Sequence, residues 1–227
     1  MTFASDQFLA APEWVHYLNG RLPDETPHAD DVFFDGSSNP TGLTVSGTVT
    51  WTEARGLMSA VYDDQTAEDM ACQLYSFTTA SVPMTVETAY RMDGATNVIR
   101  MAGVTISDGT TSTSNMVRAG FYLGGTPLRR FTFAEGTFTA HATAAGDEIN
   151  HDNASQGIAY VQLIWTASNT FKSRWSIDGV TWYDPFGTDA QTMTPTHYGV
   201  WVSTWGGAVP SLASFNYIRV YDSDLSV

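Results

Sequence analysis

The chain has 227 residues, enough for one large β domain or for one domain with an arm. A chain of this size buries about 70–75% of the surface that its unfolded form exposes, so a full core needs no disulfide or metal staple. Ten Lys and Arg against 24 Asp and Glu give a formal net charge of −14, which argues against a nucleic-acid backbone binder and against docking on anionic membranes. Charged residues are 15% of the chain, a composition better suited to strands with small polar faces than to solvated helices.

Residues 1–29 read as an N-terminal arm. Pro12 and Gly20 bracket one short helix. Phe8, Trp14, Tyr17 and Leu18 are too apolar for a free tail and predict docking, either on the chain's own domain or on a partner. The first residues lack the basic and apolar regions of a secretory signal, and no apolar run is long enough for a membrane-spanning helix. Residues 21–28 read as an extended, proline-marked connector.

Residues 30–227 read as one β domain. Residues 41–51 alternate as a strand. In 84–92, Met84, Val86, Thr88, Tyr90 and Met92 share one face. Further strands are expected over 98–106, 116–123, 160–166, 171–177, 198–205 and 213–221. In the last, both faces read as partly covered. Asp178-Gly179 is a hairpin signal, since both residues tolerate positive φ. The stretch 128–156 is less regular, and 140–153 reads as an exposed loop. Cys72, the only cysteine, sits among apolar neighbours and reads as a buried small hydrophobe. Many short strands without long helical periods predict a two-sheet antiparallel sandwich or barrel.

Three stretches carry a family likeness: Asp30-Asp31-Val32-Phe33-Phe34-Asp35-Gly36, the hairpin Trp175-Ser176-Ile177-Asp178-Gly179-Val180-Thr181-Trp182, and the terminal Ala213-Ser214-Phe215-Asn216-Tyr217-Ile218-Arg219-Val220. Together they resemble the concanavalin A-like lectin/glucanase superfamily, including laminin-G-like modules of bacteria and phages. Asn216 stands where an acidic residue is common. The resemblance implies an all-β jelly roll of two antiparallel sheets, a scaffold that hosts lectins, glycan-binding modules, glycosidases, lyases and structural virion domains.

Glucanases of that superfamily line up acidic residues on alternate positions of one strand, so that one carboxylate attacks and another protonates. No strand here carries such a row, nor does the chain have the lyase pattern, a nucleophile elbow or a phosphate loop. The chain is therefore expected to have no catalytic residues. His141, Asp147, Glu148, His151 and Asp152 form the densest group of potential ligands, yet their spacing fits no metal motif, and no metal or cofactor is expected. Calcium is the one cofactor the resemblance admits, with Asp63, Asp64 and Asp178 as oxygen donors, although the turn already accounts for Asp178.

Seven Trp, ten Tyr and twelve Phe are many for so acidic a chain. Aromatic faces stack on the C–H patches of sugar rings, and Tyr183, Tyr198, Trp205 and Trp182 are the glycan-binding candidates. Trp165, Trp175 and Trp201 are assigned to the core. The resembled modules work outside cells or on particles. With an apolar arm and no signal, the expectation is a non-enzymatic bacteriophage virion surface protein: a head decoration, head fibre or tail component. Its arm would dock on capsid or tail proteins, and it would be a homo-oligomer binding host or environmental glycan. The competing readings are a secreted carbohydrate-binding module and a glucanase or lyase with an atypical site.

Overall fold

A computed structural model describes residues 28–34, 43–45, 49–54, 56–62, 69–93, 99–111, 113–123, 129–137, 148–151, 158–205 and 212–226. They form fifteen strands: β1 (Val32–Phe33), β2 (Leu43–Val45), β3 (Val49–Ala54), β4 (Leu57–Tyr62), β5 (Asp69–Ser76), β6 (Met84–Asp93), β7 (Ile99–Ser107), β8 (Asn115–Leu123), β9 (Arg129–Thr137), β10 (Glu148–His151), β11 (Ala159–Ala167), β12 (Thr170–Ser176), β13 (Thr188–Ala190), β14 (His197–Trp205) and β15 (Leu212–Tyr221). The eight-stranded sheet runs β13-β12-β11-β6-β15-β4-β3, with β1 also paired to β15, and the seven-stranded sheet runs β10-β9-β8-β7-β14-β5-β2. All pairings are antiparallel.

Alternate residues of the two sheets meet in one core. It takes Met84, Val86, Tyr90 and Met92 from β6, Val161, Leu163 and Trp165 from β11, and Ala102, Val104 and Ile106 from β7. Period-two patterning puts every second side chain on this inner face. Tyr90 carries a hydroxyl into the core, where it accepts the Phe121 backbone N–H of the facing sheet at 2.8 Å. Trp165 and Trp175 lie in this core as expected.

The stretch 41–51 is two strands rather than one. β2 pairs with β5 in the seven-stranded sheet, and β3 pairs with β4 in the other. The chain thus changes sheet within this stretch. The irregular region is more ordered than expected: β9 spans nine residues against β8, and β10 pairs with β9 where 140–153 read as loop. Both lie at the end of their sheet, where Arg129, Arg130, Glu135 and Gly136 interrupt the apolar alternation that marks a central strand.

The entry and terminal motifs pair with each other, Val32 opposite Ile218 and Phe33 opposite Tyr217. Asp31 fastens this joint by accepting the N–H groups of His28 and Val220 at 2.9 Å each. Both oxygens of Asp30 take the Thr78 N–H at 3.0 and 3.1 Å. Since the Asp30 N–H donates to His28 Nδ1 at 3.1 Å, His28 Nε2 carries the proton that it shares with Asp222 at 3.1 Å. His28 is thus bonded to the sandwich, on the arm side of the expected boundary.

The outward face of β15 is covered, as the sequence predicted. Across four strands, Arg219 stands opposite Glu87, Glu87 opposite Gln162, and Gln162 opposite Arg174. Arg219 is 1% exposed and Glu87 6%. Glu87 accepts Tyr217 Oη–H and Gln162 Nε2–H at 2.7 Å each, and it pairs with the Arg219 guanidinium at 3.8 Å. Residues 223–226 are bonded to this row and to the neighbouring one. Thr85 donates to the Ser223 carbonyl, Arg174 to the Leu225 carbonyl, and Lys172 to Ser226 Oγ.

Candidate functional site

Two of the four aromatic candidates follow the Asp178-Gly179 turn. Asp178 closes that turn by accepting the Val180 and Thr181 N–H groups and the Ser176 hydroxyl at 2.7–2.8 Å, and Gly179 takes φ +73°. These bonds hold the exposed Asp178 carboxyl well below the usual carboxylate range. They use Oδ1 of the carboxylate as a turn fastener. Past the turn, Tyr183 and Trp175 exchange backbone hydrogen bonds at 2.9 and 3.1 Å. Their rings stack with centroids 4.7 Å apart at 24°, and Trp175 sits edge-on against Phe121 at 5.6 Å and 82°. A ladder of three rings therefore runs from the core to the rim, ending in Tyr183, which is 48% exposed.

Trp182 does not join that platform. Adjacent residues of an extended chain point to opposite faces. Trp182 lies against the Arg174 guanidinium, 5.3 Å from its ring centroid, on the outer face of the eight-stranded sheet.

Tyr198 corrects the expectation more sharply. It belongs to the inner-facing positions of β14 and is 2% exposed. Its ring packs on Phe77 at 4.7 Å and Tyr75 at 5.9 Å, and its hydroxyl donates to the Asp30 carbonyl. Its ring faces are taken up by these contacts, and it meets the cavity at this end of the sandwich only as a buried lining residue. Trp205 ends β14 opposite Ile99, and its side chain lies outside the described residues, as do Phe8, Trp14, Tyr17 and Leu18 of the arm and Asp63 and Asp64. Among the described residues, no three His, Cys, Asp or Glu come together as a metal site.

The outer face of the seven-stranded sheet carries a second apolar cluster that the sequence did not separate from the core: Met70, Cys72, Leu74, Met101, Met116 and Trp201. Trp201 is buried here rather than between the sheets. Its indole crosses β7 at Gly103 to donate to the Ala119 carbonyl of β8 at 3.3 Å. Arg118 lies beside it, 5.3 Å from the indole centroid and 2.8 Å from Met70 Sδ. Burial lowers the Arg118 pKa, and it pushes the Cys72 thiol up to about 12, against the pull of the Arg118 charge. The described side chains of this face include no carboxylate.

A cavity of about 400 Å³ opens where β5 ends and β14 begins beside the entry segment, lined by Asp30, Asp31, Val32, Leu74, Tyr75, Ser76, Thr78, His197 and Tyr198 among others. Ser76 Oγ and His197 Nε2 are 3.2 Å apart, and Thr196 Oγ1 lies 2.8 Å from His197 Nδ1. Burial lowers the His197 pKa. Of its lining, sequence reasoning had singled out Tyr198 as a glycan contact but not the cavity, because its residues come from three separated segments that only the fold joins.

No family model and no curated protein matches the chain. Solved structures do. A legume lectin-like domain from Entamoeba histolytica superposes with a TM-score of 0.57 at 7% identity, covering 80% of this chain and 90% of that one. A laminarinase from Flavobacterium gives 0.57 at 12% identity, covering 84% and 98%. The CBM2 module of the evolved Dit of Lactobacillus casei phage J-1 gives 0.50 at 10%, covering 86% and 97%. The chain has the concanavalin A-like jelly-roll fold. Within this fold the described aromatic candidates separate into a rim platform at Tyr183, an outer-face indole at Trp182 and a core ring at Tyr198.

Proposed function

We propose that this jelly roll is a non-catalytic glycan-binding module displayed on the surface of a bacteriophage particle. The observation that carries the glycan reading is the Tyr183 ring, stacked on Trp175 and about half exposed. A ring held in place by its neighbours loses little freedom when a sugar stacks on it, which favours binding through its C–H face. The lectin-like and laminarinase structures of the same fold are in keeping with this class of ligand.

The non-catalytic part rests on the outer face of the seven-stranded sheet. Glycoside hydrolysis by the common route needs two carboxylates about 5–9.5 Å apart. The described side chains of that face are thioethers, a thiol, a leucine, small residues, an indole, a guanidinium and, at its end, the His197 imidazole. The display setting rests on the apolar arm and on the likeness to a phage CBM2 module. Capsid or tail proteins would hold the arm, and several copies would raise avidity.

A glycan array tests the binding. Saturable binding without release of new reducing ends or unsaturated products supports the proposal, whereas product release points to an enzyme. Mass spectrometry of purified particles tests the setting. The protein should copurify with virions, and removing residues 1–27 should abolish attachment; attachment without them would overturn the docking role.

A further inference from the structure

We infer that the end cavity is a second binding site, for a single neutral sugar residue, and that it works independently of Tyr183. Its volume of about 400 Å³ is within the range of small-molecule pockets. Val32 and Leu74 give it apolar wall, and the partly exposed Tyr75 gives it an aromatic one. Ser76, Thr78 and His197 bring hydroxyls and an imidazole to the same space. Both His197 nitrogens are engaged, Nε2 by Ser76 Oγ and Nδ1 by Thr196 Oγ1, so the ring orients the Ser76 hydroxyl, which keeps capacity for a sugar hydroxyl.

The charge pattern narrows the ligand class. The carboxylates of Asp30 and Asp31 already accept backbone N–H groups, from Thr78 and from His28 and Val220. Their acceptor sites are thus occupied while their negative charge disfavours an anion, and a neutral, hydroxyl-rich ligand fits best. The Ser76–His197 pair has the shape of a nucleophile and its base, but the next two backbone donors are engaged. The Phe77 N–H goes to the Thr196 carbonyl at 3.0 Å and the Thr78 N–H to Asp30. Neither is left to hold a developing oxyanion, so the pair serves recognition rather than acyl transfer.

The ligand class rests on the glycan reading, while the location rests on the cavity alone. The test is saturation-transfer NMR with a panel of free neutral monosaccharides on the full chain. At least one should bind the wild-type protein. His197→Ala should weaken it at least tenfold and Ser76→Ala several-fold, with thermal melts confirming the fold, and Tyr183→Ala should leave it unchanged. No binding by any monosaccharide, binding that survives both cavity variants, or loss in Tyr183→Ala would overturn the inference. Array binding lost only in Tyr183→Ala would still uphold the platform, so the two readings fail separately.

Discussion

At the residue scale, side chains that look alike in sequence are assigned different tasks by the strand they sit on. Trp201 and Tyr198 belong to one strand, yet the first lies in the outer cluster and the second between the sheets. The indole needs a lane of glycines beneath it. A Cβ at Gly103 would meet the Ala119 carbonyl oxygen at 1.9 Å, and one at Gly120 the Ala102 oxygen at 2.2 Å. These are backbone atoms with little room to yield. Gly103→Ala is expected to cost about 1–3 kcal/mol in chemical denaturation, the usual range for overpacking. Cys72, fully buried with its thiol pushed up to about 12, should resist a thiol reagent in the native protein and react only on unfolding. Rapid native labelling would contradict that burial. Asp178 gives a pH test. Its folded pKa is depressed, so its contribution is fully present above its unfolded value of about 3.9 and is lost as the pH falls below that. The melting-temperature gap between the wild type and Asp178→Ala should be steady near neutrality and narrow below about pH 4. A gap that does not change with pH would show that the carboxylate is not what fastens the turn.

At the element scale, the central strands were legible and the ends were not. β6, β7, β8, β11, β14 and β15 fall close to the expected stretches, because two-sided contacts keep the period-two pattern clean. β9 and β10 at the sheet end were missed, and so was the change of sheet between β2 and β3, which no local pattern marks. The site was less legible than the fold. Alternation alone separates Trp182 from Tyr183, but that Tyr183 stacks on Trp175 depends on the turn at Asp178-Gly179 bringing the chain back. The sequence marked the last strand as partly covered on both faces, but only the fold lines Arg219 up with Glu87, Gln162 and Arg174 and shows how deeply the first three are buried. Such a row makes a sharp prediction. Removing Glu87 alone leaves the buried Arg219 without its carboxylate, and Glu87→Ala should cost about 3–5 kcal/mol. Replacing Glu87 and Arg219 together with Met should recover most of that loss, as a double-mutant cycle would show. Equal losses in the single and double variants would mean that packing, not charge, sets the cost.

At the scale of the whole molecule, the net charge of −14 acquires a second meaning. It fits a surface that stays soluble and repels other acidic surfaces. Many of the acids are also fasteners. Asp30, Asp31, Asp108, Asp178, Asp184 and Asp224 each accept a backbone N–H at a turn or a strand end. Carboxylates spent on backbone donors are poor candidates for acid–base chemistry. They suit a module whose work is to hold its shape and present a ring. The most direct test of that account is a calorimetric titration of an array-selected oligosaccharide into the wild type and Tyr183→Ala. The platform predicts at least tenfold weaker binding in the variant, with an unchanged melt and no cleavage of the oligosaccharide. Equal affinity in the two proteins, or cleavage of the oligosaccharide by the wild type, would contradict it.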